Sequence, residues 1–222
     1  MNKRRIIIGD YDTAENGWTL SAWSFSAAKH KETLLDKPGG DGVWDLSTVL
    51  SDGIPRYQSR TLTATLERSD GDRQSREYEI RDMVNALDGL QWDIYLPDDI
   101  DRYIVGRVNV ARKYSDLAHA AVTVTAVCEP WKYNQYDTVQ RITATGTATV
   151  HRIYNNGRRA VVPVLAVEGA SASVLLVYGA MSRTLSAGTY QVPDLLLTPG
   201  LHEITVSGSG LLRISYREAV LE

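Results

Sequence analysis

Apolar and polar positions alternate with a period of two through much of the chain. Residues 61–67 place Leu62, Ala64 and Leu66 on one side and Thr61, Thr63 and Thr65 on the other, which predicts a half-buried strand. Residues 92–96, 103–110 and 121–128 carry the same period, and residues 3–8 read as a short apolar strand. Trp92 is in phase with Ile94 and Leu96, and Cys128 with Val122, Val124 and Ala126, so both are expected in the core. One segment changes period. Ile80, Met83, Val84 and Leu87 recur at helical spacing and predict a helix over 74–87. Asp70 or Asp72 is placed to cap it, and Gly89 to follow it in the left-handed conformation. Arg76, Glu77, Glu79, Arg81 and Asp82 are assigned to its wet side.

From about residue 139 onward the pattern is strand throughout. Thr143, Thr145, Thr147 and Thr149 alternate with small or apolar residues, and Val162, Val164 and Ala166 follow the same rule. Further strands are read at 174–178, 204–206 and 212–216, with turns at Asn155-Asn156-Gly157, Ala187-Gly188, Pro199-Gly200 and Gly208-Ser209-Gly210. Strands at this spacing with no helix between them predict a β-sandwich, with Pro163 at an edge or a strand start. Residues 33–60 differ from both halves. They have little periodicity and carry Pro38, Gly39, Gly40, Gly42, Gly53 and Pro55, so they read as a long loop that is either functional or an arm reaching a neighbour.

Composition sharpens the division. All five tryptophans lie within the first 131 residues of 222. A boundary is expected near 136–139, just after a turn-like segment at 130–134, giving domains 1–137 and 138–222. Residues 139–222 hold seven Arg and five acidic side chains, so residues 1–138 carry the remaining 17 basic and 22 acidic ones, a net −5. Neither half has the basic surface that a dedicated nucleic-acid binder uses. No apolar run approaches a membrane span, and three isoleucines after Lys3, Arg4 and Arg5 do not make a secretory leader. The one cysteine, Cys128, makes no internal disulfide.

Candidate chemistry is sparse. The run Pro38 to Gly42 lacks the Lys-Ser/Thr of a phosphate loop and reads as the turn at the arm's tip. Asp98, Asp99 and Asp101 lack calcium-loop spacing and read as a hairpin turn. His30, His119, His151 and His202 do not stand at metal-ligand spacing, and no GxSxG elbow is present. Trp44 is the tryptophan expected at a surface or interface. No catalytic, cofactor-binding or metal residue is assigned, and no cofactor is expected.

Five stretches together carry a resemblance. PGGDGVWDLS (38–47) followed by PRYQSRTLTATLE (55–67) resembles the PGRDG-x-x-DLS and Y-x-x-R-T pattern of phage distal tail proteins, the Dit family of long non-contractile tails. NALDG (85–89), YIVGRVNV (103–110) and VTVTAVCEPWKYN (122–134) resemble three later family segments in the family's order. Gly40 departs from the pattern, where the family often has Arg. The resemblance implies a mainly β fold: an N-terminal β-barrel or sandwich-like ring domain with one α-helix and a long arm, and a C-terminal galectin-like, jelly-roll β-sandwich. It implies a structural, non-enzymatic protein of the virion tail tip, assembled in the bacterial cytoplasm. A hexameric ring of this chain would join the tail tube protein to the tail-tip hub, sometimes hold a receptor-binding protein, avoid membranes, and pass DNA only as cargo. Leu34, Leu35, Val43, Trp44, Leu46, Val49 and Leu50 are then the candidate subunit-interface residues of the arm. The alternative is a carbohydrate-binding module that touches the host surface through the C-terminal sandwich.

Overall fold

The computed structural model describes residues 4–51, 53–97 and 99–222, the side chain of Leu50 apart. Lys3, Asp52 and Asp98 lie outside the described residues. The fold is mainly β with one α-helix. It divides into two compact units, Met1–Pro130 and Trp131–Glu222.

The first unit is built on β1 (Ile7–Ile8), β2 (Tyr11–Asp12), β3 (Thr19–Phe25), β4 (Leu34–Asp36), β5 (Val43–Asp45), β6 (Arg60–Arg68), α1 (Arg73–Leu87), β7 (Gln91–Leu96), β8 (Asp99–Ser115) and the part of β9 (Ala120–Asn134) up to Pro130. Its main sheet runs β2-β1-β7-β8-β9-β6-β3. β6 and β9 show how the period becomes a core. Leu62, Ala64 and Leu66 face Ala126, Val124 and Val122 across the ladder, and all six are buried. Thr61, Thr63 and Thr65 face Val127, Thr125 and Thr123 on the other side. β7 and β8 pair antiparallel with a register shift between Tyr95 and Leu96, and Asp99 and Asp101, read as part of a turn, lie within β8 instead.

α1 buries Ile80, Met83 and Leu87 in this core, with Val84 packed against its margin. Each such apolar side chain contributes roughly 1.5–3 kcal/mol of burial. Asp72 caps the helix by accepting from Ser75 N at 2.7 Å. Gly89, at φ +73, turns the chain away and donates its N–H to Val108 O. One assignment is overturned. Arg76 is not on the wet side: it is 1% exposed, one helical turn before Ile80 on the buried face. Its guanidinium donates to the carbonyls of Gly71 (2.6 Å), Asp70 (3.4 Å), Asp116 (3.1 Å) and Leu117 (2.8 Å). These backbone oxygens make burial of the charge tolerable.

Cys128 lies in the core, where Gly106 makes room for it: a Cβ on Gly106 would stand 2.5 Å from the sulfur. Burial pushes the Cys128 thiol up to about 11, against the lowering effects of a hydrogen bond from the Leu62 backbone and of the Arg60 charge. In the unfolded chain a thiol titrates near ~8.5. The buried neutral thiol therefore contributes its full stability below that pH, and the contribution is lost as pH rises from there through about 11. A Cys128→Ser chain should lose that alkaline slope in urea titrations at stepped pH. Native Cys128 should also resist a thiol reagent that reacts fully in urea.

The second unit contains β10 (Thr138–Thr145), β11 (Thr149–Asn155), β12 (Val164–Tyr178), β13 (Met181–Ser186), β14 (Gly188–Gln191), β15 (Gly200–Tyr216) and β16 (Ala219–Val220). The expected turn at 130–134 is instead strand: β9 runs on to Asn134, and Lys132 and Tyr133 pair with β16. The threonine run 143–149 is broken at Gly146 into β10 and β11. Pro163 stands just before β12, at a strand start as its missing N–H requires.

β15 is the organising strand. It pairs with β10 through residues 209–216, with β11 through 200–206, and with β12 along both halves. Gly208-Ser209-Gly210 is not a turn but a bend inside β15. Gly208 and Gly210 adopt φ +103 and +123 opposite a register shift in β12 between Glu168 and Ser173. Before the shift β12 buries Leu165 and Val167; after it, Ala172, Val174 and Leu176. Odd positions give way to even ones, as a bulge dictates. Both halves of each bent strand then feed one cluster with Ile142, Ile153, Leu185 and Leu197, which is the sandwich core. A Cβ on Gly208 would stand 2.0 Å from Ser173 O. Gly208→Val should cost about 3 kcal/mol or more, read from urea denaturation, because positive φ and backbone contact both oppose it.

Candidate assembly surface

Residues 26–59 leave the main sheet between β3 and β6 and return. Ser26 N donates to Thr61 O (3.0 Å), Gln58 N to Lys29 O (2.8 Å), Lys31 N to Arg56 O (2.8 Å) and Leu46 N to Thr33 O (2.8 Å). His30 and Tyr57 bridge the two runs with rings 4.6 Å apart. The arm is thus an antiparallel ribbon, not the aperiodic loop that its glycines and prolines suggest. Its root is fixed by Arg60, whose buried guanidinium donates to Ser26 O at 2.6 Å and lies 3.7 Å over the Phe25 ring.

The ribbon ends in the β4–β5 hairpin, a two-stranded sheet of its own. Gly39 (φ +71) and Gly42 (φ +81) turn the chain, with Gly40 N on Lys37 O and Lys37 N on Gly42 O. Ser47 fastens the far end: its Oγ accepts from Thr33 N, and its N–H donates to Asp45 Oδ1. The Ser47 hydroxyl and N–H hold the exposed Asp45 carboxyl below the usual range.

The register sorts the candidate residues. Leu35 stands directly across from Trp44. Leu34 faces Asp45 and Val43 faces Asp36, so Leu34 and Val43 lie diagonally on the opposite side. Exposure is 53% for Leu34, 51% for Leu35, 43% for Val43 and 48% for Trp44. Leu46 and Val49 are exposed beyond the hairpin, and Leu50's side chain lies outside the described residues. An open groove of about 390 Å³ lies along the arm between His30, Leu34, Asp45 and Arg56. A two-stranded ribbon with apolar residues on both sides cannot bury either by itself, and an isolated hairpin is at best marginally stable.

Sequence reading did not single out Leu117, which is 85% exposed on the β8–β9 loop gripped by Arg76. Asp116 shapes that loop by accepting from Ala118 N and His119 N, which lowers its carboxyl's titration. In the second unit Tyr154 and Leu201 are exposed cross-strand neighbours beside the Arg152–Glu203 ion pair. The four histidines occupy four separate places: the arm, the β8–β9 loop, β11 and β15. Among the described residues no cluster of His, Cys, Asp and Glu is arranged to hold a metal ion. Among them, too, no helix is long and apolar enough to cross a membrane.

No protein-family model matches the chain, and no curated protein matches it by sequence. A solved structure does. The crystal structure of Dit (gp 19.1) from phage SPP1 superposes with a TM-score of 0.69, covering 96% of this chain and 98% of that one at 13% identity. The chain has the fold of SPP1 Dit. That Dit is described as a paradigm of the hub adsorption apparatus of phages infecting Gram-positive bacteria. The match to Dit covers nearly the whole of both chains, so it agrees with the mainly β architecture reached from sequence.

Proposed function

We propose that this protein is a structural component of a phage tail tip. Six copies close into a ring that joins the tail tube protein to the tail-tip hub, hold a receptor-binding protein where one is present, and let DNA pass. It is assembled in the bacterial cytoplasm, and no catalytic step is assigned to it. Residues 1–137 serve the ring, and residues 138–222 form the second domain. The observation that carries this reading is the arm: a Dit-like fold with a hairpin apolar on both sides and uncovered on both. Ordering such a ribbon costs roughly 1–2 kcal/mol per residue, which burial against a neighbouring copy offsets. The net −5 of residues 1–138 suits a wall that DNA slides past, because it offers no excess of cations to neutralise phosphates.

Light scattering over a concentration series, with negative-stain images of the same sample, tests it. Ring-shaped hexamers are expected, alone or once tail tube protein and hub are added. Monomers at every concentration even with those partners would refute the ring. A second reading, sugar binding by the second unit, is favoured by Tyr154 beside Arg152 and Glu203. Glycan-array binding by the full chain that is lost in Tyr154→Ala would support it.

A further inference from the structure

Asn155 ends β11, and Asn156 and Gly157 after it meet the segment that carries β16. Asn155 is buried, and its Nδ2 donates to Arg159 O and Leu197 O, both at 2.9 Å. Its Oδ1 accepts from Gly157 N at 3.0 Å. The next residue is tied differently. Asn156 donates both its backbone N–H and its side-chain Nδ2 to Glu218 Oε1, each at 3.2 Å. Asn134 Nδ2 reaches the other Glu218 oxygen at 3.5 Å, and Glu218 is only 7% exposed. Arg158 N then donates to Ala219 O at 2.7 Å.

This arrangement dictates the residue after Asn156. A Cβ at position 157 would stand 2.8 Å from both Ala219 N and Ala219 O, so glycine is required there. The fold therefore imposes an Asn-Gly step, the dipeptide whose backbone nitrogen is least hindered from attacking the preceding side chain. In that reaction Gly157 N gives up its proton and forms a bond to Asn156 Cγ, closing a cyclic imide. The Cγ–Nδ2 bond breaks, and Nδ2 leaves with that proton as ammonia. Water then opens the imide at either carbonyl and leaves aspartate or isoaspartate. No oxidant, metal or cofactor enters.

We propose that Asn156 is a latent deamidation site, held closed by the Asn155 and Glu218 clasp, whose conversion unfastens β16. Both nitrogens that must change partners are engaged. The Gly157 proton sits in a buried hydrogen bond to Asn155 Oδ1, and the departing Nδ2 is tethered to Glu218. Once converted, residue 156 turns a second carboxylate toward Glu218, and the donor that held the Glu218 side chain becomes a like charge. The change runs one way, because ammonia is lost.

The test is peptide mass spectrometry of the full chain during mildly alkaline incubation. Asn156 should convert at least about tenfold more slowly in the folded chain than in urea, and Glu218→Ala should recover much of the unfolded rate. Equal rates in the folded wild type and in urea would overturn the proposal. A second measurement does not depend on how Glu218→Ala folds. Asn156→Asp should raise the unfolding equilibrium constant by about tenfold, the equivalent of ~1.4 kcal/mol. Adding Glu218→Gln should remove most of that loss. An Asn156→Asp chain as stable as wild type, or one that Glu218→Gln does not rescue, would refute the repulsion between the two carboxylates.

Discussion

Arg76→Ala should destabilise the first unit by about 3 kcal/mol or more, measured by urea denaturation followed through its tryptophans. A charged hydrogen bond contributes about 1.5–3 kcal/mol, and its loss strands the acceptors it served. Here one guanidinium serves four carbonyls from two segments: Asp70 and Gly71 ahead of α1, and Asp116 and Leu117 on the β8–β9 loop. Arg76→Lys should recover less than half, since an ammonium cannot span two pairs of carbonyls with a planar fork. Arg76→Met keeps the stem's packing and separates the loss of hydrogen bonds from the loss of volume. A Met variant as stable as wild type would show that water replaces the guanidinium at no cost.

Leu35→Asp combined with Trp44→Asp should abolish assembly while leaving the urea midpoint of the isolated chain unchanged within error. The two residues form one cross-strand pair about half exposed in the single chain, so charge there costs the monomer little. In a covered interface the same pair would be a buried aromatic anchor with its neighbour. Such anchors carry about 2–4 kcal/mol each, and losing both weakens association by about a thousandfold or more. Leu34→Asp with Val43→Asp examines the opposite side of the hairpin. If one pair matters and the other does not, the ribbon is covered on one side only. Unchanged concentration dependence in both double variants would remove the arm from the interface.

Much of the architecture was legible because strands such as β6 and the helix α1 keep their periods along their length. Leu62, Ala64 and Leu66 in β6, or Ile80, Met83 and Leu87 in α1, leave one choice of buried face. Arg76 was misplaced because charge was weighed above position. Its spacing to Ile80 already put it on the apolar stripe, and two of the four carbonyls that receive it, Asp116 and Leu117, come from a loop forty residues away. The arm was legible as an excursion but not as a ribbon. Its pairing is local, through Lys31 with Arg56 and Leu35 with Trp44, and its apolar residues answer to no core within the chain. Gly208-Ser209-Gly210 misled for the opposite reason. Glycines read as a reversal also serve where two backbones close to van der Waals contact, and only Ser173 across the ladder tells the two apart. At Pro130 the proline suggested a turn, yet β9 continues through it to Asn134.

The pairing of β15 also sets the order in which the second unit can be made. β10, β11 and β12 leave the ribosome before the strand that joins them exists. Until residues 200–216 emerge, β10 and β11 lack their ladder partner, and β12 has only the short β13 and β14. A nascent chain paused before β15 is therefore a set of open strand edges, the form in which β proteins aggregate. Synonymous slow codons just before residue 200 should lower soluble yield more than the same number placed before residue 138, ahead of these strands.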